Sequence, residues 1–380
     1  MKIVHVCLSC FYIDGYSYQE NMLVKEHVNA GHQVKVLAST ENYIDGQITY
    51  VKPSVYIGSD GAEVTRLSYR KLLPQKLMTK LRMHAGVYDY LAKFSPDVIV
   101  FHGLCGWELR TVCKYKVDNP TVRLWVDSHE DHNNSARNFS SSMLHKFYYK
   151  PIIKSVREIL GSVLCISLET MDFVEKMYGL DRKELIFYPL GAQIQCHNTY
   201  TAARSEFRRK LGIKDHEYLI VQAGKQTPRK RLVDSLSAFT KVSSKRLRFV
   251  VAGVLDENLQ TKCLKMIESD SRIEFLGWQN SNDLQKLLCA ADVYLQPGTQ
   301  SATMQASLGA CCAVILDRVH SHEPFVDGNG WFVEVENDIW EVFREISELE
   351  REDLNKMQSK SQNIAKELLD YKVLAKFLLN

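Results

Sequence analysis

The sequence predicts an α/β protein made of two doubly wound domains. Three observations carry this. Short, nearly continuous apolar runs recur along the chain, as strands buried on both faces of a parallel sheet require. Helical periods separate them, as the crossovers of a parallel sheet do. The alternation occurs twice, on either side of a polar stretch around 192–214. A length of 380 residues is too great for one ordinary core and suits two domains of roughly 150–200 residues.

In chain order, the first half gives IVHVCL (3–8), VKVLAS (34–39), DVIVFHG (97–103), VRLWVDS (122–128), SVLCIS (162–167) and LIFYPLG (185–191). The second gives YLIVQAG (218–224), LRFVVAG (247–253), RIEFLG (272–277), VYLQPG (293–298) and CAVIL (312–316). The boundary is placed near Gln193. This gives a first domain of 1–192, a second of 193–365, and a last helix, 366–380, free to return to the first domain. Two such domains face one another across a cleft at the carboxyl ends of their sheets, where open α/β folds bind ligands.

Composition narrows the function. The chain is 45% hydrophobic and 24% charged, with no apolar run near the roughly 20 residues of a bilayer span. MKIVHVCLSC reads as a first strand rather than a secretory leader. Ten cysteines without a paired framework point to a reducing cytoplasm, and Cys7-x-x-Cys10 lacks the second pair of a zinc site. A net charge of +3 without an aromatic-interleaved basic face argues against nucleic acid.

The most informative stretch is 218–239. An apolar run ends at Gly224, a loop follows with Lys225, Arg229, Lys230 and Arg231, and a helical period opens with Leu232, Leu236 and Phe239. Strand, basic loop, helix is either a solvated turn or a grip on a diphosphate. The second follows because a helix N-terminus already favours an anion. His129, in DSHEDH after 122–128, sits in a polar cluster with Asp127 and His132, and Arg137 follows in NNSARN. His102 ends the neighbouring run.

These segments, in this order, resemble the retaining glycosyltransferases of family 4, which have the GT-B fold of two Rossmann-like domains. DGYSYQENMLVKEHVNAGHQVKVLAST is similar to the family's first loop, helix and second strand. SPDVIVFHGL and VRLWVDSHE resemble its histidine-ending strands, and FYPLGAQ stands where it has "PNG-x-D". GKQTPRKRLVDSLSAF resembles its "GR-x-x-x-x-KG" segment, and IEFLGWQNSNDLQKLLCAADVYLQPG continues the series. The resemblance implies a metal-independent transfer from a nucleotide-diphosphate sugar, with no cofactor, to a glycan or polyprenyl-linked acceptor in surface polysaccharide assembly. It implies that Lys225 and Lys230 hold the diphosphate, that Gly15 allows close approach, and that Trp278 stands where the main chain meets the base. His129, with Asp127, stands in the active site.

One departure matters. The family's loop carries two glutamates eight residues apart. Here PGTQSATMQASLGACCAVIL puts Ala306 at the second and leaves the first without a counterpart. Gln300, Ser301, Ala302, Thr303 and Gln305 are then the candidate donor-binding groups, on a helix expected from Ala302 through Cys311. Glu323 matches a glutamate frequent after the next strand. Three readings stay open: a transferase, another chemistry on the same fold such as a nucleotide-sugar epimerase or phosphorylase, and a non-catalytic nucleotide-sugar-binding partner of another transferase. Finally, RKLLPQKLMTKLRMH (70–84) has five cations and no acid. With Leu77, Met78 and Leu81 on one helical face it would lie on anionic lipid beside the run 146–154, placing the protein peripherally on the inner face of a membrane.

Overall fold

The computed structural model describes residues 1–44, 47–132 and 134–380. Asn133, in the polar run noted above, lies outside them. The chain divides into two units, Met1–Pro189 with Tyr371–Asn380, and Leu190–Asp370.

The first unit is built on β1 (Lys2–Cys7), β2 (Gln33–Ser39), β3 (Glu41–Ile44), β4 (Gln47–Tyr50), β5 (Ser54–Ile57), β6 (Glu63–Leu67), β7 (Val98–Phe101), β8 (Arg123–Ser128), β9 (Val163–Cys165) and β10 (Leu185–Phe187). Eight of these form one sheet in the order β10-β9-β8-β7-β1-β2-β6-β5, and β3 and β4 make a separate hairpin. Neighbours in the sheet are parallel except β5 with β6. Every apolar run of the first half lies on a strand of this sheet, the last of them on the edge strand β10. The elements that sequence periodicity misses, β3 to β6, are short, and β4 and β5 are mostly exposed.

Chain order reverses between β1 and β7, so the loops after these strands part there. They stay close at one point: a Cβ on Gly103 would lie 3.0 Å from Ser9 Cβ, and Gly103 has φ +90°. The helix Tyr371–Phe377 closes the unit's other face. Tyr371, Leu374, Ala375 and Leu378 pack with Ile3, Leu23, Val98, Val100, Leu164 and Tyr188. Tyr188 Oη donates to Leu374 O at 2.9 Å and Trp125 Nε1 to Leu378 O at 3.0 Å.

The second unit is built on β11 (Tyr218–Ala223), β12 (Leu247–Ala252), β13 (Ile273–Phe275), β14 (Val293–Gln296), β15 (Ala313–Asp317) and β16 (Gly330–Val333). All are parallel, in the order β13-β12-β11-β14-β15-β16. Its core joins Ile220, Leu232, Leu236, Phe239, Phe249, Leu295 and Phe343. Asp292, fully buried before β14, is held by Arg204 (2.6 Å), Arg208 (2.9 Å) and Arg351 (2.7 Å). It also accepts the Leu219 N–H. A carboxylate is tolerated there because every lone pair is met. The cluster ties the helices His197–Lys210 and Arg351–Ile364 to the sheet.

Candidate functional site

In the second unit the order of strands reverses between β11 and β14, so their following loops part at the carboxyl ends and leave a crevice. Each loop feeds a helix: Leu232–Thr240 after β11 and Ala302–Gly309 after β14. The free N–H groups of both helices therefore open at the same end of the sheet. Glycine lets the loops touch, since a Cβ on Gly298 would fall 1.9 Å from Arg229 O.

Lys230 sits at this junction. Its Nζ donates to Thr299 O at 2.6 Å, and burial lowers its pKa to about 8. No carboxylate pairs with it among the described residues. Lys225 is exposed at the start of the same loop. Arg231 differs: with φ +52° it turns into the helix and bonds Asp234 (2.9 Å) and Glu334 O (2.9 Å). It is a structural cation, and the loop's positive charge toward solvent is carried by its neighbours.

A glutamine network that sequence reasoning did not single out supports this junction. Gln222 Nε2 donates to Lys230 O (2.9 Å) and to Gln226 Oε1 (3.1 Å). Gln296 Nε2 donates to Thr299 O (2.7 Å), while its Oε1 accepts from Tyr294 Oη (3.1 Å) and Ser301 Oγ (2.6 Å). Ser301 is thus engaged sideways and makes no side-chain cap, although it is the residue before the helix. Ala302 is exposed, and Gln300 and Thr303 are half-buried on the same loop and first turn. Gln305 points inward: it is fully buried, and among the described residues neither amide atom has a partner. The helix stops at Gly309, and Cys311 has φ +61°, so the expected continuation to Cys311 does not form.

Trp278 follows Gly277, which has φ +63°. Its ring is 74% exposed, which removes it from the core and leaves a flat apolar face at the end of β13. Glu323 is exposed on the turn His320–Phe325 and bonds His320 Nδ1 at 3.0 Å.

In the first unit, Asp127 ends β8 and is buried. Its Oδ2 lies 2.5 Å from His102 Nδ1, and its Oδ1 accepts the Gly103 N–H at 2.7 Å. His129 Nε2 stands 3.5 Å from the same Oδ1. Burial works against a charge on either histidine, but the Asp127 carboxylate outweighs it. The pKa of His102 rises to about 10, and that of His129 is raised too. The two charged neighbours hold the Asp127 carboxyl well below the usual range against its own burial. Glu130 binds Ser128 Oγ (2.5 Å) and the His129 N–H (3.1 Å). It also lines a cavity of about 330 Å³ with Glu41, Lys80, Arg82, Asn134 and His145.

The structure therefore brings Asp127, His129 and His102 together. It turns His132 away, exposed and edge-on to Phe173. Gly15, with φ +79°, has open space where a Cβ would stand, and its N–H donates to Ser59 Oγ (2.9 Å). Its positive φ favours glycine by conformation.

Residues 203–367 match the model of the family described as glycosyl transferases group 1. No curated protein matches the chain by sequence. Among solved structures, HepE of Anabaena in complex with UDP is similar over 100% of this chain and 98% of its own, at 14% identity and a TM-score of 0.69. Sucrose-phosphate synthase of Thermosynechococcus elongatus covers 100% and 97% at 13% identity and a TM-score of 0.68. WaaG, a glycosyltransferase involved in lipopolysaccharide biosynthesis, covers 99% and 98% at 15% identity and a TM-score of 0.61. Identities this low carry the fold, which is GT-B.

Proposed function

From a second unit that is a glycosyl transferases group 1 domain, we propose that the protein is a retaining, metal-independent glycosyltransferase. It moves a sugar from a nucleotide-diphosphate sugar to a glycan or lipid-linked acceptor in surface polysaccharide assembly. It works in the cytoplasm, peripherally at the inner face of a membrane. The observation that carries this is Lys230. A partly desolvated ammonium with no carboxylate partner among the described residues, beside two helix N-termini, is ready for an anion. The UDP bound by HepE fits the same chemistry.

Lys230, Lys225 and the helix N–H groups stabilise the diphosphate charge that grows as the glycosidic C–O bond breaks. These loops offer cations where a metal-dependent site would offer carboxylates. The leaving phosphate oxygen takes the proton of the acceptor hydroxyl on the same face of the sugar, which retains the anomeric configuration. Neutral groups, Gln300 and Thr303 among them, bind the sugar hydroxyls, Trp278 stacks on the base, and His129 donates to the donor sugar.

A second reading, a nucleotide-sugar-binding partner without catalysis, is favoured by one observation. Ala306 replaces a family glutamate, and its neighbour Gln305 is buried. A thermal-shift panel of nucleotide sugars followed by donor hydrolysis in chelator separates the two. Slow release of free sugar is expected. Binding without hydrolysis or transfer would establish the second reading, and a need for added Mg²⁺ would end the metal-independent one.

A further inference from the structure

Three histidines from three separate segments line up inside the first unit. His27 lies on the helix Gln19–Asn29, His5 on β1, and His102 just after β7. His27 and the other two are 1%, 0% and 0% exposed. His27 Nε2 stands 2.9 Å from Ala375 O, on the helix Tyr371–Phe377. His27 Nδ1 is 3.0 Å from His5 Nε2, and His5 Nδ1 is 2.9 Å from His102 Nε2. His102 Nδ1 is 2.5 Å from Asp127 Oδ2. The line runs unbroken from a backbone carbonyl to a carboxylate.

Its ends fix its proton count. Four contacts each need one hydrogen. Neither end supplies one, because a carbonyl and a carboxylate only accept. Three neutral imidazoles carry three N–H hydrogens in all. One contact would then bring two lone pairs face to face in the core, where an unmet polar group is most unfavourable. A fourth proton removes the conflict, and all four contacts become hydrogen bonds.

We propose that His27, His5 and His102 form a buried chain that stores one proton beyond their neutral complement, and that this proton cancels the charge of Asp127 and positions His129. The arrangement that follows is directional. His27 donates to Ala375 O and accepts from His5, His5 accepts from His102, and His102 carries both ring hydrogens. Asp127, neutralised on Oδ2, accepts the Gly103 N–H on Oδ1, and His129 Nε2 faces that oxygen at 3.5 Å. This orients the His129 ring through Asp127.

The surroundings agree. Burial, then the neighbouring imidazoles, lower the pKa of His5, and burial lowers that of His27 to about 4. Asp127 raises that of His102 against its burial. The charge therefore belongs at the Asp127 end. Other titratable groups face the chain from each packed element: Cys7 on β1, Glu20 on the helix Gln19–Asn29, and His32, whose ring stands 6.2 Å from that of His27. At the far end His27 borders a cavity of about 510 Å³ with Glu26, Lys372 and Lys376. His27, His5 and His102 are positioning residues: they reach the reacting groups only through Asp127. Only the link to His129 rests on the proposed function.

Spectra of the full-length protein with ¹⁵N-labelled histidine test the count without any substrate. The expected result is hydrogen on both ring nitrogens of His102 and on one each of His5 and His27, unchanged between pH 6 and 8.5 (a span chosen around the ordinary histidine value of about 6.5). Three singly protonated rings, or a titration near the ordinary value, would overturn the proposal. His27→Phe keeps a ring and removes the contact to Ala375, so the two remaining imidazoles meet both remaining contacts while neutral. The doubly protonated signal should then titrate or vanish, and the midpoint of His129 should rise because Asp127 is no longer neutralised. If both signals match wild type, the proton belongs to His102 and Asp127 alone and the chain is refuted. A wild-type protein that shows the stored proton but hydrolyses no donor would sink the functional reading and leave the chain standing.

Discussion

On the proposed function, donor binding turns on Lys230. A charge-assisted contact contributes roughly 1.5–3 kcal/mol, so Lys230→Ala should weaken nucleoside-diphosphate affinity by about one to two powers of ten. Its lowered pKa adds a signature. Below about pH 8 the free lysine is already charged and affinity is flat. Above it the ammonium must first take up a proton, so affinity falls as pH rises. Lys230→Arg should bind without that fall, because a guanidinium stays charged. Titration calorimetry across pH 7–9 reads wild type and both variants, and a wild-type curve without the fall would remove Lys230 from the diphosphate. The positions of the two lysines and of the Asp127–His129 pair were legible because they lie at the end of an apolar run or in the loop that follows it. Gln222, Gln226 and Gln296 were not. They are spread over 75 residues, and only the pairing of β11 with β14 brings them together. The imidazole chain was hidden for the same reason, with members at 5, 27 and 102 and its anchor at 375.

At the scale of elements, the eleven apolar runs became strands, nine of them because a central parallel strand is buried on both faces and has no polar alternation to blur it; the runs on β10 and β13 form edges. The basic stretch 70–84 shows the opposite. The helix expected after Pro74 forms as Gln75–Leu81, ended by Arg82 in the left-handed region, but its apolar residues do not share one face. Met78 is buried while Leu77 is exposed, so the two do not share a face. Propensity could not reveal this, because the inward anchor is tertiary: Tyr148 Oη and Tyr149 Oη bond the carbonyls of Leu81 and Lys80. What remains outside is Leu72, Leu73 and Leu77, with Phe147 nearby in sequence to the two tyrosines, all exposed among lysines. That composition suits an anionic lipid surface. The protein should sediment with anionic vesicles at low salt, and Leu72→Glu with Leu73→Glu should release it. A wild-type protein left in the supernatant would end the idea.

For the molecule as a whole, buried histidines set the response of stability to pH. Burial lowers the pKa of His27 to about 4 and of His84 to about 3. The unfolded chain takes up protons at these sites below about pH 6.5 while the folded chain does not. Stability should therefore fall as pH drops from about 6.5 toward 4. His102 acts in the other direction. Its raised value adds stability that is complete below about 6.5 and lost as pH rises through about 10. A plot of thermal midpoint against pH should decline on both sides of near-neutral pH, and a midpoint unchanged from pH 6.5 to 4.5 would contradict the acid limb. The two α/β units were legible from the repeated alternation. The charge economy of their interiors was not, because Asp292 owes its state to arginines distant in sequence.

The helix Tyr371–Phe377 imposes an order on synthesis. A nascent chain ordinarily folds its first domain while later residues are still being made. Here the sheet face bearing Ile3, Val98 and Leu164 is covered in part by residues beyond 370. All of Leu190–Asp370 must leave the ribosome before that face is closed. Until then the half-finished unit exposes apolar surface, and the carbonyl that anchors His27 does not yet exist. A chain arrested after Asp370 should thus hold a folded second unit beside an open first one. Proteolysis of stalled chains would show protection of 190–370 with cleavage within 1–189, and equal protection of both units would disprove this order.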